Sequence, residues 1–278
     1  MRRHVLQREG EVMFIDTHCH LDASEFNDDR NDVIARAEHA GVRRIVIPAI
    51  GRRNFSTVRQ LAHSFAGGYY ALGIHPLFVA HAAHEDLDIL AQEVERSLAD
   101  PRFVAIGEIG LDFFVKEIAQ GPLRERQEYF YQQQLRLARE YDLPVLLHVR
   151  RSQDIILKYL RRYPGIGGIA HAFNGSDQQA DHFVGLGFAL GFGGAMTFTR
   201  AHQIRRLACR VPLANIVLET DAPDIPPAWL REDHPRNAPE QIPAIAQVLA
   251  QLRNLSVDEI AQATGATSSQ VLPRLATP

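Results

Sequence analysis

Phe14-Ile15-Asp16-Thr17-His18-Cys19-His20-Leu21-Asp22 opens as a short apolar strand and ends in a His-x-His pair. Alternate side chains of a strand point to opposite faces, so His18 and His20 share one face and Cys19 takes the other, as core packing. Two imidazoles two residues apart at a strand end can grip one metal ion. With 13 His in 278 residues, chance alone supplies about 0.6 such pairs, so the pair needs support from its surroundings.

Downstream, short apolar runs alternate with helical patterns. Strands are expected at Met13–Asp16, Arg44–Pro48, Tyr69–Ile74, Phe103–Ile106, Pro144–Leu147, Gly168–Ala170, Phe188–Phe192 and Asn215–Leu218. Helices are expected between them: about Asp28 to His39, Asn54 to Phe65, Asp86 to Leu98, Gly121 to Tyr141, Ser152 (as a cap) to Arg162, and from Ser176 and Thr199 onward. Two more follow, about Pro239 to Arg253 and Val257 to Ala263. Eight strand–helix alternations with strands apolar on both faces predict a single (β/α)8 TIM barrel spanning residues 13–278. A doubly wound open sheet is the alternative, but no Gly-x-Gly-x-x-Gly follows the first strand. Residues 1–12 are polar and unpatterned, and are expected to be a disordered extension or a mis-assigned start.

The chain is 46% hydrophobic and 23% charged, with a formal net charge of −3. That balance excludes a protein whose whole surface binds nucleic acid but leaves room for a local basic patch. Cys19 and Cys209 form no metal or redox motif and are expected as reduced thiols. No signal peptide and no run of ~20 apolar residues is present, so no membrane partner and a cytoplasmic location are expected. No obligate protein partner is evident.

Catalytic groups of such a barrel sit at the C-terminal ends of its strands. Metal-binding residue types fall there repeatedly: His18 and His20, then His75, Glu108, His148, His171 and Asp221. Singly, each is more simply a hydrogen-bonded loop residue or a helix cap. Together they are hard to explain structurally, because such groups are rarely buried unless paired or metal-bound. His39, His63, His81, His84, His182, His202 and His234 fall on helices or loops and are expected in solvent.

Six segments carry a resemblance: Ile15 to Asp22, Gly73-Ile74-His75-Pro76, Gly107-Glu108-Ile109-Gly110-Leu111-Asp112, Pro144 to Arg150, His171-Ala172-Phe173-Asn174-Gly175 and Leu218-Glu219-Thr220-Asp221-Ala222-Pro223. In them the chain resembles the TatD family of metal-dependent deoxyribonucleases, amidohydrolase-like barrels, and most of all its YjjV-like branch of uncharacterised hydrolases. The resemblance implies two divalent metal ions. His18, His20, Glu108 and Asp221 would hold one; Glu108, His148 and His171 would hold the other. Glu108 would bridge them, Asp221 would orient the attacking water or take its proton, and His75 would contact the substrate or leaving group. Nitrogen-rich ligation favours Zn, Mn, Fe or Co, with Mg also open from the family. The implied activity is a DNA exonuclease, acting on single strands or free ends.

Two departures stand out. The family's Arg-x-Asn-Glu-Pro is Arg236-Asn237-Ala238-Pro239 here, which touches the substrate loop. Its Thr-x-x-Asn is Thr264-Gly265-Ala266-Thr267. Arg52-Arg53, Arg150-Arg151, Arg200, Arg231 and Arg236 follow strands and so fall on the expected active-site face, whereas Arg161-Arg162 and Arg205-Arg206 fall on the helical side. Each alone reads as solvated charge; jointly they suit an anionic substrate, with Arg150 and Arg236 as candidate contacts. The long loop Pro223 to Pro239 suggests a cover over the substrate. Its Trp229 either stacks on a base or packs onto the barrel. The competing readings are a hydrolase of a non-nucleic ester or amide at the same site, and a binding protein that keeps only a structural metal.

Overall fold

Eight apolar runs fold as parallel strands: β1 (Phe14–Asp16), β2 (Val42–Pro48), β3 (Gly68–Leu72), β4 (Phe103–Asp112), β5 (Val145–Arg150), β6 (Gly168–Ala170), β7 (Phe188–Phe192) and β8 (Ile216–Leu218). The computed structural model describes residues 13–230 and 236–276. The expected extension over 1–12, with Arg231 and His234, lies outside them. Neighbouring strands pair in chain order from β1 to β8. Thr17 joins the ends of that series, its N–H and hydroxyl donating to the Leu218 carbonyl at 3.1 and 3.0 Å. Cys19 and Ala222 add one parallel bridge beyond it. The sheet is therefore an all but closed barrel, and the doubly wound alternative, whose strand order must reverse, does not apply.

Helices α1 (Arg30–His39), α2 (Phe55–His63), α3 (Glu85–Ser97), α4 (Gly121–Glu140), α5 (Gln153–Leu160), α6 (Asp177–Gly185), α7 (His202–Arg210) and α8 (Ile242–Arg253) follow the strands in turn, and α9 (Val257–Val271) comes last. Strand alternation sorts the core into two layers. Ile45 and Ile47 belong to the layer between sheet and helices. Val46 between them belongs to an inner cluster with Ala71, Leu146, Ile169, Ala189 and Val217. Leu272 and Leu275, in the turn after α9, complete that inner cluster.

Three elements run past the C-terminal ends that the sequence signals suggest. β4 does not stop at Ile106; it runs on to Asp112, so Glu108 is inside the strand. Gly107 and Gly110 read as breakers, yet here they permit close packing: a Cβ on Gly110 (φ +142) would lie 2.1 Å from the His148 carbonyl oxygen. β5 likewise continues through His148 to Arg150. α9 extends past Gly265 to Val271 because its buried hydroxyls are satisfied within the helix: Thr264, Thr267 and Ser268 each donate to the carbonyl four residues back. Ser152 precedes α5, but its hydroxyl bonds the Leu111 carbonyl at 2.6 Å and does not cap the helix.

Candidate metal centre

The C-terminal ends of the strands open on a cleft of about 1130 Å³, floored by the buried carboxylate of Glu108. His18 and His20 reach it because the extended backbone continues past β1, with Cys19 N–H on Val46 and His20 N–H on Ala222. Cys19, on the opposite side, is fully buried in the apolar layer. Asp221 sits at φ 58, a left-handed conformation that aspartate tolerates better than most residues. Its N–H donates to the His18 carbonyl at 2.8 Å.

The two oxygens of Glu108 face two sets of donors. Oε2 lies 3.1 Å from His18 Nε2 and 3.3 Å from His20 Nε2. Those nitrogens are 3.3 Å apart, and Asp221 Oδ1 is 3.6 and 3.7 Å from them. Oε1 lies 2.8 Å from His171 Nε2, 2.9 Å from His148 Nδ1 and 3.2 Å from His75 Nε2. Five imidazole nitrogens thus meet two carboxylate oxygens. If every ring turned an N–H inward here, donors would face donors at 3.1–3.5 Å. A shared cation removes that conflict for His18, His20, His148 and His171, whose inward nitrogens would then present lone pairs. The spacings also suit it: donors around one tetrahedral ion with ~2.0–2.1 Å bonds stand about 3.3–3.4 Å apart.

The environment splits the titrations. Burial depresses His18 to about 3, aided by His171. Burial also lowers His75, to about 4. On His20 burial acts in the same direction, but the Glu108 hydrogen bond and the charges of Glu108, Asp221 and Asp22 outweigh it and lift the ring to about 9. Burial raises Asp221 to about 6, against the pull of His171 and His20. Burial opposes charge on Glu108 too, yet His75, His171 and His18 and the His148 hydrogen bond hold it well below the usual carboxylate range. His75 Nδ1 accepts the Leu77 N–H at 3.1 Å, so its neutral ring carries the proton on Nε2 and aims a donor into the centre.

Three further carboxylates, of Asp112, Asp16 and Glu219, stand behind the centre. Asp112 Oδ2 lies 3.0 Å from His148 Nε2. In the folded strand 108, 110 and 112 share one face, a signal hidden by the earlier strand end expected from the sequence. Asp16 accepts the His18 N–H at 3.2 Å, the Thr220 N–H at 3.0 Å and the Thr220 hydroxyl at 2.6 Å, tying the segments that carry His18 and Asp221. Glu219 accepts the Ala172 N–H and stands 3.8 Å from His171 Nδ1. Gly191 leaves room for it, as a Cβ there would lie 2.1 Å from Oε2. Sequence offered no sign of the last, because Glu219 lies beyond the end of β8, where alternation no longer fixes its direction.

The arginines divide. Arg150 and Arg151 line the cleft. Arg236, a candidate substrate contact, instead makes a two-pronged pair with Asp29 at 2.8 and 2.6 Å and is not among the residues lining the cleft. Arg52 pairs with Asp86 at 3.2 Å, Arg53 covers the Phe78 ring, and Arg200 lies 5.4 Å from the Phe198 centroid. Trp229 is exposed, with its N–H on Gln241 at 2.8 Å. Of the histidines expected in solvent, those among the described residues are exposed, His63 with Asp100 as a partner. No helix among the described residues is long and apolar enough to cross a membrane.

A parallel barrel with this His/Glu/Asp mouth defines a class, the metal-dependent hydrolases. The sequence matches the family of TatD related DNases over residues 15–273. It is 43% identical over 251 residues to the uncharacterized metal-dependent hydrolase YjjV of Escherichia coli, covering 90% of this chain and 94% of that one. It is 30% identical over 275 residues to human Deoxyribonuclease TATDN3, covering 96% and 97%. The crystal structure of E. coli YjjV superposes with a TM-score of 0.87 at 41% identity, covering 95% of this chain and 98% of that one. The chain belongs to the TatD family.

Proposed function

We propose that this hydrolase cleaves phosphodiester bonds in DNA, as an exonuclease on single strands or free ends, with two divalent ions at the mouth of the barrel. The observation that carries the reading is Glu108, whose two oxygens address two separate donor sets. His18, His20, Glu108 and Asp221 would hold one ion, and Glu108, His148 and His171 the other. When bound, such ions, drawn from Zn, Mn, Mg, Co or Fe, would acidify a water and offset charge on the phosphate oxygens. Asp221, as a carboxylate, would take the proton of the attacking water. His75, with its proton on Nε2, donates to a substrate or leaving-group oxygen. Arg150 meets the phosphate. The relatives named as deoxyribonucleases support a DNA substrate. Arg236 is left as an anchor of the loop after β8.

One feature keeps a second reading in play. Asp22, Glu25 and Asp224 line part of the same cleft, a wall that repels a long polyanion and suits an ester or amide with a cationic or donor group. A single experiment separates the two. Metal-stripped protein, with Mg, Mn, Zn or Co restored in turn, is given end-labelled single-stranded DNA and a panel of esters and amides. Metal-dependent release of nucleotides is expected; turnover of the panel alone would replace the DNA reading with the second.

A further inference from the structure

Phe114 is one of the few large apolar side chains left exposed among the described residues, at 43%, and it lines the cleft. Its neighbour Phe113 is partly buried and covered by Arg124, 4.2 Å from its centroid. Two guanidiniums attend Phe114: Arg150 at 3.8 Å and Arg151 at 4.7 Å from the ring centroid. The Arg150 side chain is itself 49% exposed, so its stacking on the ring leaves much of it free to meet a ligand.

The position of this group relative to the metal centre is built in. Asp112 Oδ1 accepts the N–H groups of Phe114 and Val115 at 2.8 and 3.0 Å, while its Oδ2 faces His148 Nε2 at 3.0 Å. Gln127 of α4 holds the same loop, accepting the Asp112 N–H at 2.9 Å and donating to Ile118 O at 2.7 Å. One carboxylate therefore spaces Phe114 from His148. Such an arrangement costs exposed apolar area and is not needed to close the barrel.

The geometry points to a nucleotide subsite here: Phe114 with Arg150 and Arg151 receives an unpaired base by stacking and its phosphate by ion pairing, next to the scissile bond. Aromatic rings and guanidinium planes both stack on bases, and the same guanidiniums carry donors for phosphate oxygens. A base inside a duplex has both faces covered, so the platform selects single-stranded or frayed ends. Asp22, Glu25 and Asp224 make the remaining wall acidic, which directs the phosphate to the arginine side. The inference rests on the phosphodiesterase reading above and adds to it the side chains that would receive the base and so enforce an unpaired end.

The test is a cycle of protein and substrate changes in the metal-restored enzyme. Wild type and Phe114→Ala are compared on single-stranded oligonucleotides that are intact or carry an abasic residue at the terminal or adjoining position, at each end in turn. Phe114→Ala should raise KM on intact strands roughly 5- to 150-fold, the range for losing one stacked base. An abasic residue at one position should penalise wild type by a similar factor and the variant hardly at all, and Phe114→Trp should recover the preference. Metal content and melting temperature show whether the variant folds, and the abasic series in wild type needs no variant. Cleavage by wild type with no abasic penalty at any position, or equal penalties in both proteins, overturns the subsite and leaves the phosphodiesterase reading intact. No cleavage of any strand by wild type under any metal overturns both.

Discussion

The proposed mechanism gives Asp221 two tasks that a single substitution can separate. Its Oδ1 stands 3.6 and 3.7 Å from the His18 and His20 Nε2 atoms, placed to share an ion with them, and its carboxylate would also accept a water proton. Asn keeps the shape and suits the left-handed φ of 58, but it has no basicity. Asp221→Asn should fold, retain most of its metal through His18, His20 and Glu108, and lose activity by the ~10²–10⁴-fold typical of removing a general base. Metal analysis beside initial rates checks this, and near wild-type turnover with both ions bound would remove Asp221 from the mechanism. His148→Ala should behave otherwise, losing one ion selectively and regaining part of its rate in excess metal. The pH response follows from two raised groups. In the metal-free centre burial raises Asp221 to about 6; a cation bound beside it favours the ionised form, so the loaded enzyme should lose rate only at a lower pH than that. In the metal-free centre, His20 holds its proton up to about 9, so metal uptake near neutrality must expel it. Affinity should therefore rise with pH up to about 9, with proton release visible as a buffer-dependent heat of binding; a pH-independent affinity would contradict the assignment of His20.

At the scale of elements, the barrel rhythm was legible because buried parallel strands leave continuous apolar runs, and Gly168–Ala170 and Phe188–Phe192 end where the sequence places them. The length of β4 was not, because glycine signals a break locally and a close approach only in three dimensions. The same strand shows why part of the site escaped the sequence. Glu108 announces itself after an apolar run, whereas Asp112 acts through His148 of another strand, a contact that only the β4–β5 register creates. That register makes Gly110 a sensitive point. Gly110 pairs with His148, and at φ +142 with no space for a Cβ it accepts no larger residue without moving the strands apart. Gly110→Ala should lower the melting temperature and weaken the ion held through His148 more than the one held through His18 and His20. Loss of both ions in equal measure would mean that the two halves of the centre do not depend on separate strands.

Across the whole molecule, the site occupies one end of the barrel and a plug occupies the other. Leu272 and Leu275 are fully buried in the inner cluster with Val46, Leu146 and Ile169, so the last turn of the described chain is core and not tail. Arg274 secures it by donating to the carbonyls of Leu98, Asp100 and Phe103, around the start of β4. The helical pattern of α9 fades at Ala263, and this turn carries no signal of its role, because two leucines after a polar, glycine-containing stretch have no periodicity. Burial assigns them an energetic one. Leu272→Ala removes a packed side chain from a barrel interior that has little freedom to collapse, so a cost of ~2–5 kcal/mol is expected. For a chain of this size that corresponds to a fall of about 5–15 °C in melting temperature. The plug packs in the inner cluster with Val46, Leu146 and Ile169 and is anchored at the start of β4, away from the strand ends that carry the metal-ligand candidates, so below the transition the variant should bind its ions and turn over as wild type does. Thermal melts paired with rates at 25 °C separate the two effects. A variant with an unchanged melting temperature would mean that the inner cluster closes without its C-terminal leucines, and one that is stable but inactive would mean that the two ends of the barrel are coupled.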